Sequence, residues 1–418
     1  MRIRTVCLLI ALAGTANRAA ADVTFSRDVA PIFQQKCQIC HRPGTTAPMS
    51  LLTYEEARPW ARAIKQRVKA REMPPWSVSA DRGIGRFKND RSLTERQIRT
   101  IEQWVDAGAP FGDAKDLPPP LPWSNGGQWQ SGTPDLVVRL PPRRIEPTGP
   151  DAWTDYVVDT GLFEDRYVRV VETRPSQAGR QVVHHVITFV VENGTESENY
   201  LSEYAVGKEA ESFPVDTGRL ITAGAKLRVN VHDHPAGRAL TDPMEIGLFL
   251  YPRGIVPRHR VRALTVGLQL LDDDLDIPPN SVTTHHASAT LDKPVRVLSF
   301  QPHMHLRGRS MTLEALLPDG ARIVLGAVDR FAFGSQTAYV YEDDASPVLP
   351  ARTVLHATAT FDNTSANRNN PDPHQWVGFG NRSVDEMLQC HVMLLELDAD
   401  EYAELVAGRA KQSLQQPE

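Results

Sequence analysis

The sequence VVHHVITFVV, residues 182–191, consists mainly of β-branched and aromatic residues, which favour strands. Comparable stretches recur from residue 130 onward and are separated by Gly, Pro, Asn or Asp. They comprise residues 156–158, 167–171, 226–231, 245–250, 295–300, 322–325 and 353–360. Many short strands without intervening helices predict two mainly antiparallel, jelly-roll-like β-sandwiches, at residues 130–270 and 271–410.

The N-terminal part has a helical pattern instead. Val29, Ile32 and Phe33 follow the i, i+3, i+4 spacing of one helix face, and residues 58–72 are rich in helix formers with one interrupting proline. Ser92 and Glu95 form a candidate capping box before a further helix. We therefore expect an all-α domain at residues 22–115, followed by a Pro/Gly-rich linker at residues 116–129.

The first residues predict export from the cytoplasm. Arg2 and Arg4 precede an apolar run, and small residues end at Ala21, so residues 1–21 are interpreted as a cleaved signal peptide. The run is too short for a permanent membrane anchor, and no later run is longer. We expect a periplasmic protein without a transmembrane anchor.

The composition excludes one class of partner. The chain of 418 residues has 46 Lys and Arg against 51 Asp and Glu, which gives a formal net charge of −5. Nucleic-acid-binding proteins usually carry a strong basic excess, so we expect no nucleic-acid partner.

The motif Cys37-Gln-Ile-Cys40-His41 is the C-x-x-C-H pattern of covalent haem attachment. Both thiols can form thioethers to one haem c, and His41 can bind its iron. Met73 is the favoured sixth ligand because 32 residues separate it from His41, enough chain to reach the opposite haem face. Met49 remains the alternative. Residues 29–113 resemble the cytochrome c superfamily.

Histidines recur near the ends of predicted strands. His303 and His305 are two apart, so in a strand they face the same way and can chelate one metal. His184 and His185 are adjacent and would need a bulge, a strand end or a strong twist to do so. With a thioether available, such imidazoles suit copper. Other histidines are interpreted as structural: His259, His285, His286, His356 and His374.

The order of these motifs, with Asp385-Glu386-Met387 last, resembles the copper type II, ascorbate-dependent monooxygenases, the family of peptidylglycine alpha-hydroxylating monooxygenase and dopamine beta-monooxygenase. The resemblance covers about residues 150–400, and FDNT at 361–364 and NNP at 369–371 are similar to bacterial relatives. It implies two copper ions in two sandwiches separated by an open, solvent-filled gap.

The resemblance also implies the ligands of each ion. An electron-transfer copper would bind His184, His185 and His232, with His234 as the alternative to His232. A catalytic copper would bind His303, His305 and Met387. The peptide-processing enzyme has an Arg at the position of Gln301 and a Tyr at that of His391, so an anionic peptide is not the expected substrate.

Together these motifs predict a monooxygenase that hydroxylates a C–H bond of a small molecule with O2. Electrons from a periplasmic donor would enter through the haem and pass to the first copper. The alternative is a non-catalytic haem and copper protein that transfers electrons or binds copper.

Overall fold

The computed structural model describes residues 23–415, except 44, 46, 48, 124–127, 150, 193–197, 206, 207, 209, 268–274 and 335. The predicted signal peptide lies outside these residues. Strands make up 39% of the chain and helices 16%. None of the described helices combines the length and apolar character that a membrane crossing requires.

The prediction of an all-α cytochrome c domain at residues 22–115 is wrong. The helices there are short: α1 (Ala30–Lys36), α2 (Tyr54–Ala57), α3 (Ala61–Lys69) and α4 (Glu95–Asp106). Between α3 and α4 the chain forms strand β1 (Val78–Gly83), which joins a sheet of the C-terminal β region. Gly83 and Gly85 adopt positive φ angles of 87° and 68°, a left-handed conformation that interrupts any helix.

The short helices still enclose an apolar core of their own. Phe25, Phe33 and Trp104 are buried at its centre, and the Trp104 indole donates a hydrogen bond to the carbonyl of Pro110. The capping box of α4 is formed by Thr94 and Gln97 rather than by the predicted Ser92 and Glu95. We call residues 23–123 the helical segment.

The first β region begins after the predicted linker. Its strands are β2 (Leu136–Arg139), β3 (Arg143–Ile145), β4 (Ala152–Asp159), β5 (Arg166–Arg174), β6 (Val183–Val191), β7 (Glu198–Ala205), β8 (Ala210–Ser212), β9 (Thr217–Ile221), β10 (Lys226–Asp233), β11 (Leu240–Asp242) and β12 (Glu245–Leu250). One sheet has the order β4-β10-β6-β7, and its apolar face packs against β2, β12, β5 and β9.

The second β region has the same layered construction. Its strands are β13 (His259–Val266), β14 (Val282–Thr290), β15 (Val295–His303), β16 (Gly308–Leu316), β17 (Arg322–Val328), β18 (Tyr339–Val340), β19 (Val348–Leu349), β20 (Val354–Asp362) and β21 (Gln389–Glu396), followed by helix α5 (Ala399–Gln415). The sheet β1-β17-β16-β20-β14 packs against β13, β21, β15, β18 and β19.

One sheet runs through both β regions. β13 pairs antiparallel with β21 of the second region and parallel with β9 of the first. Strand β13 contributes to both cores, since Val261 is buried in the core of the first region and Val266 in that of the second. This shared sheet sets the position of the histidine-bearing strands of one region relative to those of the other.

Candidate metal centres

A β-bulge brings the adjacent His184 and His185 together. On β10, His232 is paired with His185 and Asp233 with Val183, so His184 is the extra residue of β6. A bulge lets neighbouring side chains point in similar directions, which a regular strand forbids. The structure thus has the bulge that two adjacent histidine ligands require.

Three imidazole nitrogens meet at this bulge. His185 Nδ1 lies 3.1 Å from His184 Nδ1 and 3.4 Å from His232 Nδ1. Metal–imidazole bonds of about 2.0 Å at tetrahedral angles separate two nitrogens by about 3.3 Å. Among the described residues these three form a group that could hold a metal ion. We call them the three-histidine centre.

Burial keeps these imidazoles neutral, the form that binds metal. It lowers the pKa of His184 to about 4, and it lowers the pKa of His185 well below its ordinary value. Burial also lowers the pKa of His232, although the hydrogen bond to Asp151 partly opposes the shift.

His232 is held from its far side. Its Nε2 donates to Asp151 Oδ2 at 2.9 Å, which leaves Nδ1 for the centre, and the Trp153 ring stacks on its imidazole with centroids 3.9 Å apart. His234 is 68% exposed and contacts the same carboxylate through its Nδ1 at 2.6 Å. Geometry therefore places His232 in the centre and His234 outside it.

The second pair of histidines presents the other ring nitrogen. His303 Nδ1 donates to Gln336 Oε1 at 2.7 Å, and His305 Nδ1 donates to the carbonyl of Asp385 at 3.1 Å. The Nε2 atoms are the candidate metal ligands of this pair, and the ring centroids lie 5.3 Å apart. Both imidazoles are buried, and burial lowers the pKa of His303 to about 3. We call this pair the two-histidine centre.

Met387 belongs to a segment that is fixed beside this pair. The buried Glu386 carboxylate accepts hydrogen bonds from the backbone N–H groups of His305, at 2.8 Å, and Arg307, at 2.5 Å. Three residues after Glu386, Gln389 is the register partner of His303. Met387 lies between these two contacts and is half-buried. Met387 thus lies on a segment that contacts the backbone of His305 on one side and pairs with His303 on the other.

The FDNT and NNP motifs support this segment. Arg307 is buried and donates to Asn363 Oδ1 at 2.8 Å and to the carbonyl of Val384 at 2.8 Å. The Asn370 amide donates to the same Asn363 oxygen at 3.0 Å. These asparagines therefore position the segment that carries Met387.

Phe333 is close to one histidine of each centre. Its ring centroid is 5.8 Å from that of His184 and 5.8 Å from that of His305. Burial has the largest effect on the pKa of His185. A positive charge on His303 or His305 would lower that pKa further. The two centres thus share one neighbouring aromatic ring, whereas the family resemblance implies an open gap between them.

Gln301 and His391, the two positions that differ from the peptide-processing enzyme, are neighbours close to the two-histidine centre. Gln301 and His391 are paired across β15 and β21, and Gln301 is buried. His391 Nδ1 lies 2.9 Å from Thr265 Oγ1, and its ring is 5.7 Å from that of His303. Neither side chain offers a cation to a substrate carboxylate.

The C-x-x-C-H motif folds into a turn after α1. The backbone N–H groups of Cys40 and His41 both donate to the carbonyl of Cys37. His41 Nδ1 donates to the carbonyl of Met49 at 3.2 Å, which leaves Nε2 as the ligand atom. A ring fixed in this way suits an iron ligand, and both cysteines lie on the same turn, so these residues fit a covalently bound haem.

The two candidate sixth ligands lie in different surroundings. Met49 packs against the core of the helical segment. Met73 is 43% exposed and borders a cavity of about 370 Å³. Met73 therefore borders open space, but Cys37, Cys40 and His41 do not line that cavity.

No family model and no curated protein matches the chain. Among solved structures, the major capsid protein P2 of Bacteriophage PM2 is 10% identical with a TM-score of 0.30, covering 60% of this chain and 99% of that chain. A putative alpha-L-fucosidase from Bacteroides ovatus is 12% identical with a TM-score of 0.19, covering 66% and 41%. PNGF-II is 9% identical with a TM-score of 0.25, covering 58% and 60%. Likenesses this weak do not place the chain in a family.

Proposed function

We propose that this chain is an exported, periplasmic copper monooxygenase. It would hydroxylate a C–H bond of a small molecule with O2 and receive electrons from a periplasmic donor through haem c. The observation that carries the proposal is the convergence of three neutral imidazoles, with Nδ1 atoms 3.1 and 3.4 Å apart, one aromatic ring away from a second pair.

The two centres differ in a way that suits two tasks. Imidazoles alone hold the three-histidine centre, whereas the two-histidine centre has a thioether on the adjoining segment. Copper bound there would supply one-electron chemistry with O2, and a soft thioether favours Cu(I). The chain's own contribution is to lower the pKa of all five imidazoles by burial. Three of them are also held by hydrogen bonds: His232 by Asp151, His303 by Gln336 and His305 by the carbonyl of Asp385.

In the helical segment, Cys37 and Cys40 would hold the haem, and His41 and Met73 would bind its iron. Hydroxylation requires two electrons and two protons from outside, since one oxygen atom enters the product and the other leaves as water. A haem accepts and releases electrons singly, so an attached haem provides an inlet for them.

The experiment combines metal analysis with turnover. Protein matured in a periplasm should contain peptide-linked haem and two coppers. Given a reductant and a panel of small C–H substrates, it should consume O2 in proportion to product and incorporate oxygen from isotopically labelled O2. Redox cycling of haem and copper without any product across the panel would contradict the enzyme.

One observation favours the second candidate, a non-catalytic electron-transfer or copper-binding protein. His303 and His305 are both buried, which limits access for a substrate. In that case copper would change its redox state at rates independent of every substrate. The same oxygen-uptake measurement separates the two functions.

A further inference from the structure

Two further histidines meet on the outer face of the sheet β1-β17-β16-β20-β14. His286 lies on β14 and His356 on β20, and these strands pair in unbroken register. Their sequence neighbours Ala287 and Ala357 are buried in the core of the second β region, so the two histidines point to the solvent side of the sheet. The core therefore lies between this pair and strand β15, which carries His303. We call His286 and His356 the outer pair.

The ring nitrogens of the outer pair have the spacing of metal ligands. His286 Nδ1 lies 3.2 Å from His356 Nε2, and the two rings are inclined by only 19°. Two metal–imidazole bonds of about 2.0 Å at a tetrahedral angle require a nitrogen separation of about 3.3 Å. The same distance also suits a hydrogen bond between the rings. One shared proton and one shared metal ion are thus alternative occupants of the space between the nitrogens.

Two hydroxyl groups favour the arrangement in which both nitrogens present lone pairs. Ser288 is the register partner of His356, and its Oγ lies 2.8 Å from His356 Nδ1. A proton on that Nδ1 is donated to Ser288, which leaves Nε2 for a metal. Thr358 is the register partner of His286, and its Oγ1 lies 3.2 Å from His286 Nδ1, to which it can donate.

The charges around the outer pair favour neutral imidazoles. Burial lowers the pKa of His356, and a positive charge on His286 would lower that pKa further. Glu314, opposite His356 on β16, has a smaller and opposing effect, and Arg322 forms an ion pair with Glu314. Since metal binding requires the neutral imidazole, this environment supports chelation.

We propose that the outer pair is a third metal site, which takes a late first-row divalent ion and binds Cu(II) most tightly. Two imidazoles leave two positions of a tetrahedral ion to solvent ligands. Strand β14 is the last in the order of its sheet, so the ion remains accessible and exchangeable. Two nitrogens hold an ion less tightly than three, and desalting removes it. This site revises the interpretation of both histidines as structural and does not depend on the proposed function.

The test is a Cu(II) titration of full-length protein that has matured in a periplasm and has been desalted. Calorimetry measures the number and affinity of added ions, and electron paramagnetic resonance reports their nitrogen ligands. The unaltered protein should take up one ion more than His286→Ala or His356→Ala. The matched control is His285→Ala, because His285 contacts the Phe361 ring instead, at 5.9 Å between centroids. The difference between variants is independent of copper in the other two centres.

Two more variants test chelation itself. Ser288→Ala should weaken binding roughly tenfold, the lower end of the usual cost of losing a partner behind a metal-binding imidazole. Combining His286→Ala with His356→Ala should weaken binding no further than either substitution alone, because one imidazole cannot chelate. Equal ion counts in His286→Ala and the unaltered protein would overturn the inference. So would an equal loss in His285→Ala, or additive losses from the two histidines of the outer pair.

Discussion

The Asp151 carboxylate accepts a hydrogen bond from His232 Nε2 at 2.9 Å, on the side of the imidazole opposite the three-histidine centre. Burial raises the pKa of this carboxyl, but hydrogen bonds from His234 and His232 outweigh burial, so the pKa is lowered. An ionised carboxylate behind a metal-binding imidazole fixes its tautomer and increases its basicity.

Asp151→Asn should therefore weaken copper binding at the three-histidine centre by roughly 10- to 100-fold, the usual cost of losing such a partner. Chelator competition, read by the spectrum of that copper, measures the affinity. The control is His234→Asn, which changes an exposed residue on the same carboxylate and should leave the affinity nearly unchanged. Equal effects of the two substitutions would assign Asp151 no role in positioning His232.

Copper stoichiometry tests both centres. His184→Ala with His185→Ala should remove one copper, and His303→Ala with His305→Ala should remove the other. The matched control is His285→Ala with His286→Ala, because these adjacent histidines lie on β14 in unbroken register with β20. Elemental analysis should give one copper for each of the first two variants and two for the control. Loss of copper from the control would show that two histidines adjacent in sequence bind copper without a bulge.

The strands were the most predictable feature. Each of the eight stretches rich in β-branched residues overlaps an observed strand, for example 182–191 with β6 and 226–231 with β10. They were predictable because the preference of β-branched and aromatic residues for strands is local in sequence. The helical pattern of residues 22–115 was misleading because β1 is stabilised by pairing with β17, more than 200 residues away.

The candidate site was predictable in its residue types but not in its geometry. The two-residue spacing of His303 and His305 is visible in the sequence, whereas the bulge at His184 depends on the register between β6 and β10. Asp151, Phe333 and Gln336 were missed. Each contacts a histidine more than 20 residues away, and none lies in a motif that predicts the contact.

Covalent haem attachment gives a further prediction. Cys37→Ser with Cys40→Ser should abolish peptide-linked haem, because no thioether can form. Haem staining of denatured protein on a gel, compared with acid-extractable haem, measures the attachment. Cys390→Ala is the control, since Cys390 is buried in the core of the second β region. Haem that is fully extractable from the unaltered protein would contradict the assignment of both cysteines.

Met387 provides the sharpest test of the two-histidine centre, because a second methionine is nearby. Met304 lies between His303 and His305 in sequence, but its side chain is fully buried in the apolar core. Met387 is half-buried and directly follows Glu386, whose carboxylate holds the backbone of His305. Its position therefore favours Met387, rather than Met304, as the thioether ligand.

Met387→Ile and Met304→Leu keep apolar volume, so each should reduce the free energy of unfolding by less than about 1.5 kcal/mol. Copper X-ray absorption of the reduced protein should lose its sulfur contribution in Met387→Ile and keep it in Met304→Leu. Product formation should fall to background in the first variant while reduction of the haem and of the three-histidine copper persists. A sulfur contribution that survives in Met387→Ile and vanishes in Met304→Leu would transfer the ligand role to Met304. Near-normal turnover of folded Met387→Ile would mean that hydroxylation does not require this thioether.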